Sequence, residues 1–77
     1  MSFHLTIIHP KRVLFEGDVE SLFLTGDRGE FEILSYHCPL ISLLKKGNII
    51  INWKKFLPIK KGLARFIQNE MVILVEE

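Results

Sequence analysis

The sequence contains a single cysteine, Cys38, among its 77 residues. A disulfide within the chain is therefore impossible, and stability must come from packing, which suits a reducing compartment. No apolar run approaches the roughly 18 residues that a transmembrane helix needs, so none is predicted. The first residues also lack the basic segment, apolar stretch and cleavage site of a signal peptide, and none is expected.

An excess of charge is also lacking. Ten basic and nine acidic side chains give a formal net charge of +1. General nucleic-acid binders carry a marked positive charge, so this balance does not indicate that class. Apolar residues make up 48% of the chain, which hints that part of the surface is covered by a partner.

Long, amphipathic, well-capped helical segments are missing too. Short β-branched or alternating apolar segments follow one another instead, separated by turn signals. The predicted strands are residues 3–8, 12–16, 19–25, 30–34, 40–44, 48–53, 54–60, 62–68 and 71–75. The sequence therefore predicts an all-β fold, a two-sheet β-sandwich or flattened barrel of about nine to ten short strands, in one domain over residues 1–77.

Four local features of this prediction can be tested directly. Residues 17–18 are interpreted as a turn because glycine precedes aspartate. Trp53 is placed in a strand, facing the same way as the isoleucines before it. The strand that contains Pro58 is expected at a sheet edge, since proline cannot donate to a ladder. Residues 71–75 are apolar on both faces, as in a strand that is covered on both sides.

Residues 26–40 gather glycines, carboxylates, a histidine and the cysteine, but they are poorly suited to catalysis. Neighbours on an extended chain point to opposite sides, so His37 and Cys38 cannot form a nucleophile–base pair. No Cys-x-x-Cys or His-x-x-x-His spacing is present, and the glycine pair lacks the Gly-Lys-Ser/Thr of a phosphate loop. No catalytic residue, metal or cofactor is predicted.

Lysine pairs provide an alternative. They lie at residues 45–46, 54–55 and 60–61, with Trp53 and Phe56 interleaved. Aromatic stacking combined with lysines is how small β-barrels bind single-stranded nucleic acid. The simpler interpretation, favoured by the near-zero net charge, is that these lysines solubilise turns and protect edge strands.

Several segments together carry a family resemblance. They are His9-Pro10, Leu14-Phe15-Glu16-Gly17-Asp18-Val19-Glu20-Ser21-Leu22, Gly29-Glu30-Phe31, Ile33-Leu34, His37-x-Pro39-Leu40 and Gly62-Leu63-Ala64. Over nearly the whole chain they resemble the N-terminal β-sandwich domain of the ε subunit of F-type ATP synthases, called δ in mitochondria. The run from Gly29 to Leu40 is the most specific part.

The resemblance implies a non-catalytic central-stalk (rotor) subunit of a proton-translocating F-type ATP synthase. Such a subunit docks on the γ subunit and on the polar loops of the c-ring, and it couples proton flow to ATP synthesis. The complex is peripheral on the cytoplasmic side of a bacterial plasma membrane, or on the inner face of an organelle membrane. Membrane contact is expected only through the complex, and nucleic acid is not an expected partner.

The resemblance also implies roles for particular residues. Glu30 matches the acidic position beside the c-ring loops. His37, Pro39 and Leu40 match the loop and strand near γ, and Phe31 is expected to pack beneath that surface. An exposed carboxylate, a histidine and a proline-rigid loop can present a fixed polar rim to a partner. A purely structural alternative is that Pro39 and Leu40 only turn the chain and fill the core.

Four departures from the family pattern are visible. Glu32 stands where members usually have glycine, Ser35 and Tyr36 stand where they have Pro-Gly, and Lys61 replaces the first of a pair of glycines. The C-terminal helical hairpin of the family has no counterpart in the sequence. That hairpin inhibits ATP hydrolysis and in some members binds ATP, so neither property is expected here.

Overall fold

The computed structural model of the chain describes residues 1–76. They form nine strands: β1 (Phe3–His9), β2 (Arg12–Val19), β3 (Ser21–Gly26), β4 (Gly29–Leu34), β5 (Leu40–Leu44), β6 (Gly47–Ile51), β7 (Lys55–Ile59), β8 (Lys61–Ile67) and β9 (Glu70–Glu76). The predicted all-β fold of about nine short strands is confirmed. Within residues 1–76 there is no helix long and apolar enough to cross a membrane.

The strands follow one hydrogen-bonded path, β2-β1-β9-β8-β5-β3-β6-β7, with β4 paired to β3. Neighbours are antiparallel apart from β1 and β9, which run parallel. The path changes layer between β5 and β3, where a single pair of the described residues, Gly26 and Leu44, is in register. Asp27 N–H donates to the Leu43 carbonyl at 2.9 Å beside this pair. The sheet therefore divides into two halves joined by a narrow link.

The two halves bury one core between them. Apolar residues alternate with polar ones along the strands, as a sheet with one covered face requires. The buried hydrophobic residues are Phe3, Leu5, Ile7, Val19, Leu22, Leu24, Ile33, Leu44, Ile49, Ile51, Ile59, Ala64, Phe66, Met71, Ile73 and Val75. Phe3 and Phe66 meet edge to face with ring centroids 5.4 Å apart, a favourable aromatic geometry.

The two ends of the strand path also approach each other. Lys55 on the terminal strand β7 places its Nζ 5.4 Å from the ring centroid of Phe15 on the terminal strand β2. The layers therefore meet along this side as well, which gives the sandwich the character of a flattened barrel. β7, which contains Pro58, is a terminal strand of the path, so the predicted edge position is confirmed.

The predicted turn at residues 17–18 is wrong. Gly17 pairs with Leu5 and Asp18 with His4, so β2 continues to Val19. A Cβ added at Gly17 would approach only the Phe15 ring, at 3.8 Å, so nothing there demands a glycine. The local Gly-Asp signal is overridden by the ladder with β1.

The predicted strand position of Trp53 is also wrong. Residues 52–54 connect β6 to β7. Lys54 N–H donates to the Ile51 carbonyl at 3.0 Å, and the two residues inside this turn, Asn52 and Trp53, have φ values of 53° and 55°. Two left-handed residues in succession match the twist of a tight hairpin, and here the chain adopts them without glycine. The Trp53 side chain is 56% exposed, well outside the core.

The expectation that residues 71–75 are covered on both faces is wrong for the outer face. Met71, Ile73 and Val75 point into the core, but Leu74 is 50% exposed. β9 lies between β1 and β8, so the apolar outer face reflects something other than burial within this chain.

Candidate docking surfaces

Residues 35–39 connect β4 to β5 and carry His37 and Pro39. A turn opens the loop, since His37 N–H donates to the Leu34 carbonyl at 3.2 Å. Tyr36 in this turn has a φ of 62°, the left-handed region that favours glycine. The turn that Pro-Gly would form easily is thus adopted here by Ser-Tyr, at a conformational cost of roughly 1 kcal/mol or more.

Asn69 compensates for this cost from the β8–β9 turn. Its Oδ1 accepts the Tyr36 N–H at 2.7 Å, and its Nδ2 donates to the Ser2 carbonyl at 2.9 Å. Ser35 Oγ donates to the same Ser2 carbonyl at 3.1 Å. These four residues, here called the Asn69 latch, tie the N-terminal segment, the His37 loop and the β8–β9 turn into one unit.

The His37 side chain is held in a defined orientation. Its Nδ1–H donates to the Cys38 carbonyl at 2.8 Å, because a carbonyl can only accept. The ring meets Phe66 edge on, with centroids 6.2 Å apart. In the neutral imidazole this leaves Nε2 as an acceptor at the exposed side, so the loop offers a hydrogen-bond acceptor to a partner.

Pro39 and Leu40 have different surroundings. Pro39 is exposed, whereas Leu40 is half-buried, packs against the core and pairs with Phe66 of β8. Leu40 therefore contributes to the core as well as lying under the loop. Pro39 is left to form the exposed part of the surface with His37.

Glu30 lies at the start of β4, exposed, and pairs with Thr25 next to the β3–β4 turn. The adjacent Phe31 is half-buried and packs against the core, beneath this surface. A Cβ added at Gly26 would lie 2.9 Å from Phe31 Cε1 and 3.1 Å from Ser42 Oγ. Glycine at this position therefore allows the hairpin to lie close against β5.

The sequence-predicted residues fall into two places. β5 begins at Leu40, and His37 and Pro39 lie in the loop just before it. Glu30 lies near the other end of β5, where Leu44 pairs with Gly26. Between Glu30 and Leu34 the strand rises four residues, about 13 Å at the usual spacing. The structure therefore brings His37, Pro39 and Leu40 together and separates them from Glu30. We call the first place the latch end.

The other place is the basic end. It consists of four neighbouring connections, β1–β2, β3–β4, β5–β6 and β7–β8, which all lie on one side of the sandwich because Leu44, Gly62, Val75 and Gly26 are register partners. The basic residues at this end are Lys11, Arg12, Arg28, Lys45, Lys46, Lys60 and Lys61. Glu30 is one of the few acidic residues near them.

An apolar surface was missed by sequence reasoning. On the outer face of β2, β1, β9, β8 and β5, one register row consists only of apolar residues: Val13, Ile8, Leu74, Leu63 and Leu43. We call it the outer apolar row. Leu74 is 50% and Leu43 59% exposed. The sequence does contain a sign of this surface, because β9 is apolar on both faces. That pattern predicts a strand covered on both faces, rather than one whose outer face is exposed.

The residues proposed for nucleic-acid binding are not gathered together. The Trp53 ring packs against Phe23 at a tilt of 47°, with centroids 5.1 Å apart, and its Nε1–H donates to Glu32 Oε2 at 2.8 Å. A carboxylate therefore lies against the ring that would stack on a base. Of the three lysine pairs, the pairs at 45–46 and 60–61 lie at the basic end, away from the Trp53 turn.

His4 forms a separate charged cluster on the outer face. Its Nδ1 lies 3.3 Å from Asp18 Oδ1 and its Nε2 lies 3.4 Å from Glu16 Oε2. The hydrogen bond with Asp18, supported by the one with Glu16, raises the His4 pKa above its ordinary value. Both ring nitrogens are engaged, and no three His, Cys, Asp or Glu side chains in the described part of the chain converge to hold a metal ion.

Comparison with known proteins gives a consistent family. The ATP synthase, Delta/Epsilon chain, beta-sandwich domain family matches residues 2–77. The ATP synthase epsilon chain of Campylobacter curvus (strain 525.92) is 40% identical over 77 residues, covering 95% of this chain and 60% of that protein. The ATP synthase epsilon chain of a Nitratiruptor species is 38% identical over 76 residues, covering 94% and 59%.

Solved structures share the fold. A chain of the Euglena gracilis mitochondrial ATP synthase (OSCP/F1/c-ring in rotational state 1) matches with a TM-score of 0.86 at 17% identity, covering 99% of this chain and 51% of that chain. A chain of the Tetrahymena thermophila mitochondrial ATP synthase central stalk/c-ring matches with a TM-score of 0.79 at 12% identity, covering 96% and 63%.

The matches extend over almost all of this chain but only part of its relatives. The chain spans about 60% of the length of the curated relatives it matches. The resemblance predicted from the run between Gly29 and Leu40 is confirmed by the family match and by the identity of the curated relatives. The chain belongs to the ATP synthase delta/epsilon chain family, of which it contains the β-sandwich domain.

Proposed function

We propose that the chain acts as a non-catalytic central-stalk (rotor) subunit of a proton-translocating F-type ATP synthase. It docks on the γ subunit and on the polar loops of the c-ring, and so helps to couple proton flow to ATP synthesis. The observation that carries this proposal is the family match over residues 2–77. In a bacterium it would lie peripherally on the cytoplasmic side of the plasma membrane, and in an organelle on the inner face of the membrane.

The latch end is proposed as the γ side. His37 presents its Nε2 as an acceptor in a fixed orientation, and the Asn69 latch holds the loop before binding. Preorganisation of this kind lowers the ordering cost of association. Pro39 contributes the rigid exposed rim, and Leu40 anchors the loop in the core.

The outer apolar row supports the same partner. Exposed contiguous apolar surface on a soluble domain usually marks a protein interface. The row lies one residue from the register partners that mark the basic end, and Ile41 on the same face extends the apolar surface toward Leu40 at the latch end. Apolar centre and polar rim together have the anatomy of a docking site.

Glu30 is proposed as the c-ring contact. It lies about 13 Å along β4 from the residues before the His37 loop, at the other end of the sandwich. A rigid body with two such ends can contact γ at one and the ring at the other simultaneously. This arrangement suits a subunit that transmits torque between them.

A binding assay with purified γ tests the proposal. The folded chain should bind γ at micromolar concentration or tighter, and His37→Ala should weaken that binding by roughly tenfold, the loss expected when an interface residue that contributes more than about 1 kcal/mol is truncated. Glu30→Ala should leave γ binding nearly unchanged but weaken attachment to the assembled ring. Glu20→Ala, which removes an exposed carboxylate at the other end of the sandwich from Glu30, serves as the matched control for ring attachment.

Two results would count against the proposal. Absence of γ binding by a chain shown to be folded would remove the rotor assignment. Equal loss of γ and ring attachment in Glu30→Ala would mean that the two faces have been assigned wrongly.

A further inference from the structure

The charge of the molecule is strongly polarised. Seven of its ten basic residues lie at the basic end, with Asp27, Glu30 and Glu76 as the acidic residues there among residues 1–76. The remaining acidic residues of the described chain are Glu16, Asp18, Glu20, Glu32 and Glu70, at the latch end or on the outer faces. The net charge of +1 therefore conceals a directional field, which orients a protein near a charged surface.

The lysines at the basic end lie close together for a structural reason. Leu44 pairs with Gly62, and Gly62 with Val75, so the residues just beyond them reach the same level. Lys45 and Lys46 follow Leu44, and Lys60 and Lys61 precede Gly62. All four are exposed, and the β5–β6 and β7–β8 connections present them on one side of the sandwich.

Among residues 1–76, an ion pair involves one of these lysines. Lys61 Nζ lies 3.6 Å from Glu76 Oε2, an ion pair exposed to solvent. Exposed pairs of this type are weak and are screened by salt, so Lys61 can exchange its partner for another anion. Lys45, Lys46 and Lys60 add to the same surface.

From this arrangement we propose that the basic end binds the anionic headgroups of a phospholipid membrane. Clustered lysines gain attraction from each positive charge that reaches an anionic leaflet, with no need for a shaped pocket. Leu43 lies two residues before Lys45 and is 59% exposed, so an apolar side chain borders the lysines. Lysines beside an exposed apolar residue are the pattern of a membrane-surface contact.

The chemistry favours lipid over nucleic acid. Single-stranded nucleic acid is held by aromatic platforms as well as charge. Exposed Trp53 lies at the opposite end, in the β6–β7 turn, and Phe31 near the basic end is half-buried against the core. The basic end therefore offers charge without an exposed stacking surface among residues 1–76.

The contact goes beyond the proposed docking on γ and the ring, because it requires no other subunit. Glu30 belongs to the same end, so a ring contact and a headgroup contact would point in the same direction. A vesicle experiment can succeed or fail whatever the outcome with γ.

Vesicle sedimentation at low ionic strength tests the inference directly. The chain should bind mixed phosphatidylglycerol–phosphatidylcholine vesicles and should bind pure phosphatidylcholine vesicles much more weakly. Binding should decline as salt is raised. Lys45→Gln/Lys46→Gln should reduce the partition coefficient by about tenfold or more, given the attraction contributed by each lysine near an anionic leaflet.

Lys54→Gln/Lys55→Gln provides the matched control, since it removes the same charge beside the β6–β7 turn, at the end of the sandwich opposite the basic end. Thermal unfolding of both double variants verifies that they are folded. Equal loss of vesicle binding in the two variants, or no preference for anionic over neutral vesicles, would overturn the inference. Tighter binding to single-stranded DNA than to anionic vesicles, at equal anion concentration, would also overturn it and assign the basic end to nucleic acid.

Discussion

The two ends of the sandwich are stabilised by different means. At the latch end, asparagine side chains connect segments that are distant in sequence. Asn69 holds Tyr36 and Ser2, and Asn52 Oδ1 accepts the backbone N–H groups of Glu20 at 2.7 Å and Ser21 at 3.1 Å. At the basic end, backbone atoms make the links between distant segments, such as the hydrogen bond from Lys45 N–H to the Thr25 carbonyl at 2.9 Å.

This difference matches what each end is proposed to do. A protein partner recognises a fixed shape, so the loop that carries His37 benefits from side-chain hydrogen bonds that hold it before binding. A charged surface acts through its field and tolerates mobile lysine side chains. The same small core thus supports one end specialised for shape and one for charge.

Replacing Phe66 tests the latch end most severely. Phe66 is fully buried, contacts Phe3 and lies beneath His37. Phe66→Ala should lower the free energy of unfolding by about 3–5 kcal/mol, a large part of the roughly 4–12 kcal/mol expected for a chain of this length. Urea unfolding measures the loss, and NMR spectra should show the His37 loop disordered before the basic end.

The control for this experiment is Phe56→Ala. Phe56 is 57% exposed, so its removal should change stability by no more than about 0.5 kcal/mol. If the two variants were equally stable, Phe66 would not be the support of the latch end that its contacts indicate.

Gly62→Ala tests how closely the backbone is packed at the basic end. An added Cβ would lie 2.7 Å from the Leu74 carbonyl oxygen, and a backbone atom in a ladder cannot move aside easily. We expect a loss of about 1–3 kcal/mol, as for other cases of overpacking. The measurement is chemical denaturation at one pH.

Gly17→Ala is the matched change with space available. Its added Cβ meets only the Phe15 ring at 3.8 Å, and alanine restricts the unfolded chain more than glycine does. Stability should stay the same or rise by up to about 1 kcal/mol. A penalty as large as that of Gly62→Ala would show that the close contact at Gly62 is not the cause.

Removal of the Asn69 side chain tests whether the fixed shape of the latch end can be lost while the charge of the basic end is kept. Asn69→Gly keeps the φ of 60° accessible but removes both side-chain hydrogen bonds, so a loss of roughly 1–2 kcal/mol is expected. Hydrogen exchange at the Tyr36 amide should accelerate, γ binding should weaken, and vesicle binding should remain. Asn52→Gly should destabilise by a similar amount without affecting Tyr36, and an unchanged Tyr36 amide in Asn69→Gly would contradict the latch.

The sequence predicts the fold well because the core depends on alternation. Phe3, Leu5 and Ile7 alternate with polar residues, and the structure buries all three. Local turn signals are less reliable when a ladder competes with them. Gly17 and Asp18 form part of β2, whereas Asn52 and Trp53 supply a turn that a run of isoleucines obscured.

The candidate sites are predictable only in part. The residues His37 and Glu30 are visible from their resemblance to a family, and their locations at opposite ends follow from strand register. The Asn69 latch joins residues 33 and 67 positions apart, and no local pattern indicates such a contact. The outer apolar row and the basic end likewise appear only when the order of the strands is known.

The smallest expected effect is a pH dependence of stability that arises from His4, toward the latch end of the molecule. His4 of β1 faces Asp18 and Glu16 of β2, and its register partner on β9 is Glu70. The hydrogen bond to Asp18 favours the imidazolium, so the His4 pKa in the folded chain lies above the ordinary value of about 6.5. The stabilisation is therefore fully present below that value and is lost as pH rises through the folded-state pKa.

His4→Gln retains hydrogen-bonding capacity without titrating, so the stability difference between the wild type and this variant should shrink as pH rises above about 6.5. The effect should be small because the cluster is exposed, and salt should weaken it. NMR titration of the His4 ring measures the pKa directly; a value at or below that of the unfolded chain would contradict the assignment. His4 lies near the start of β1, away from the basic end, so vesicle binding by His4→Gln should match that of the wild type.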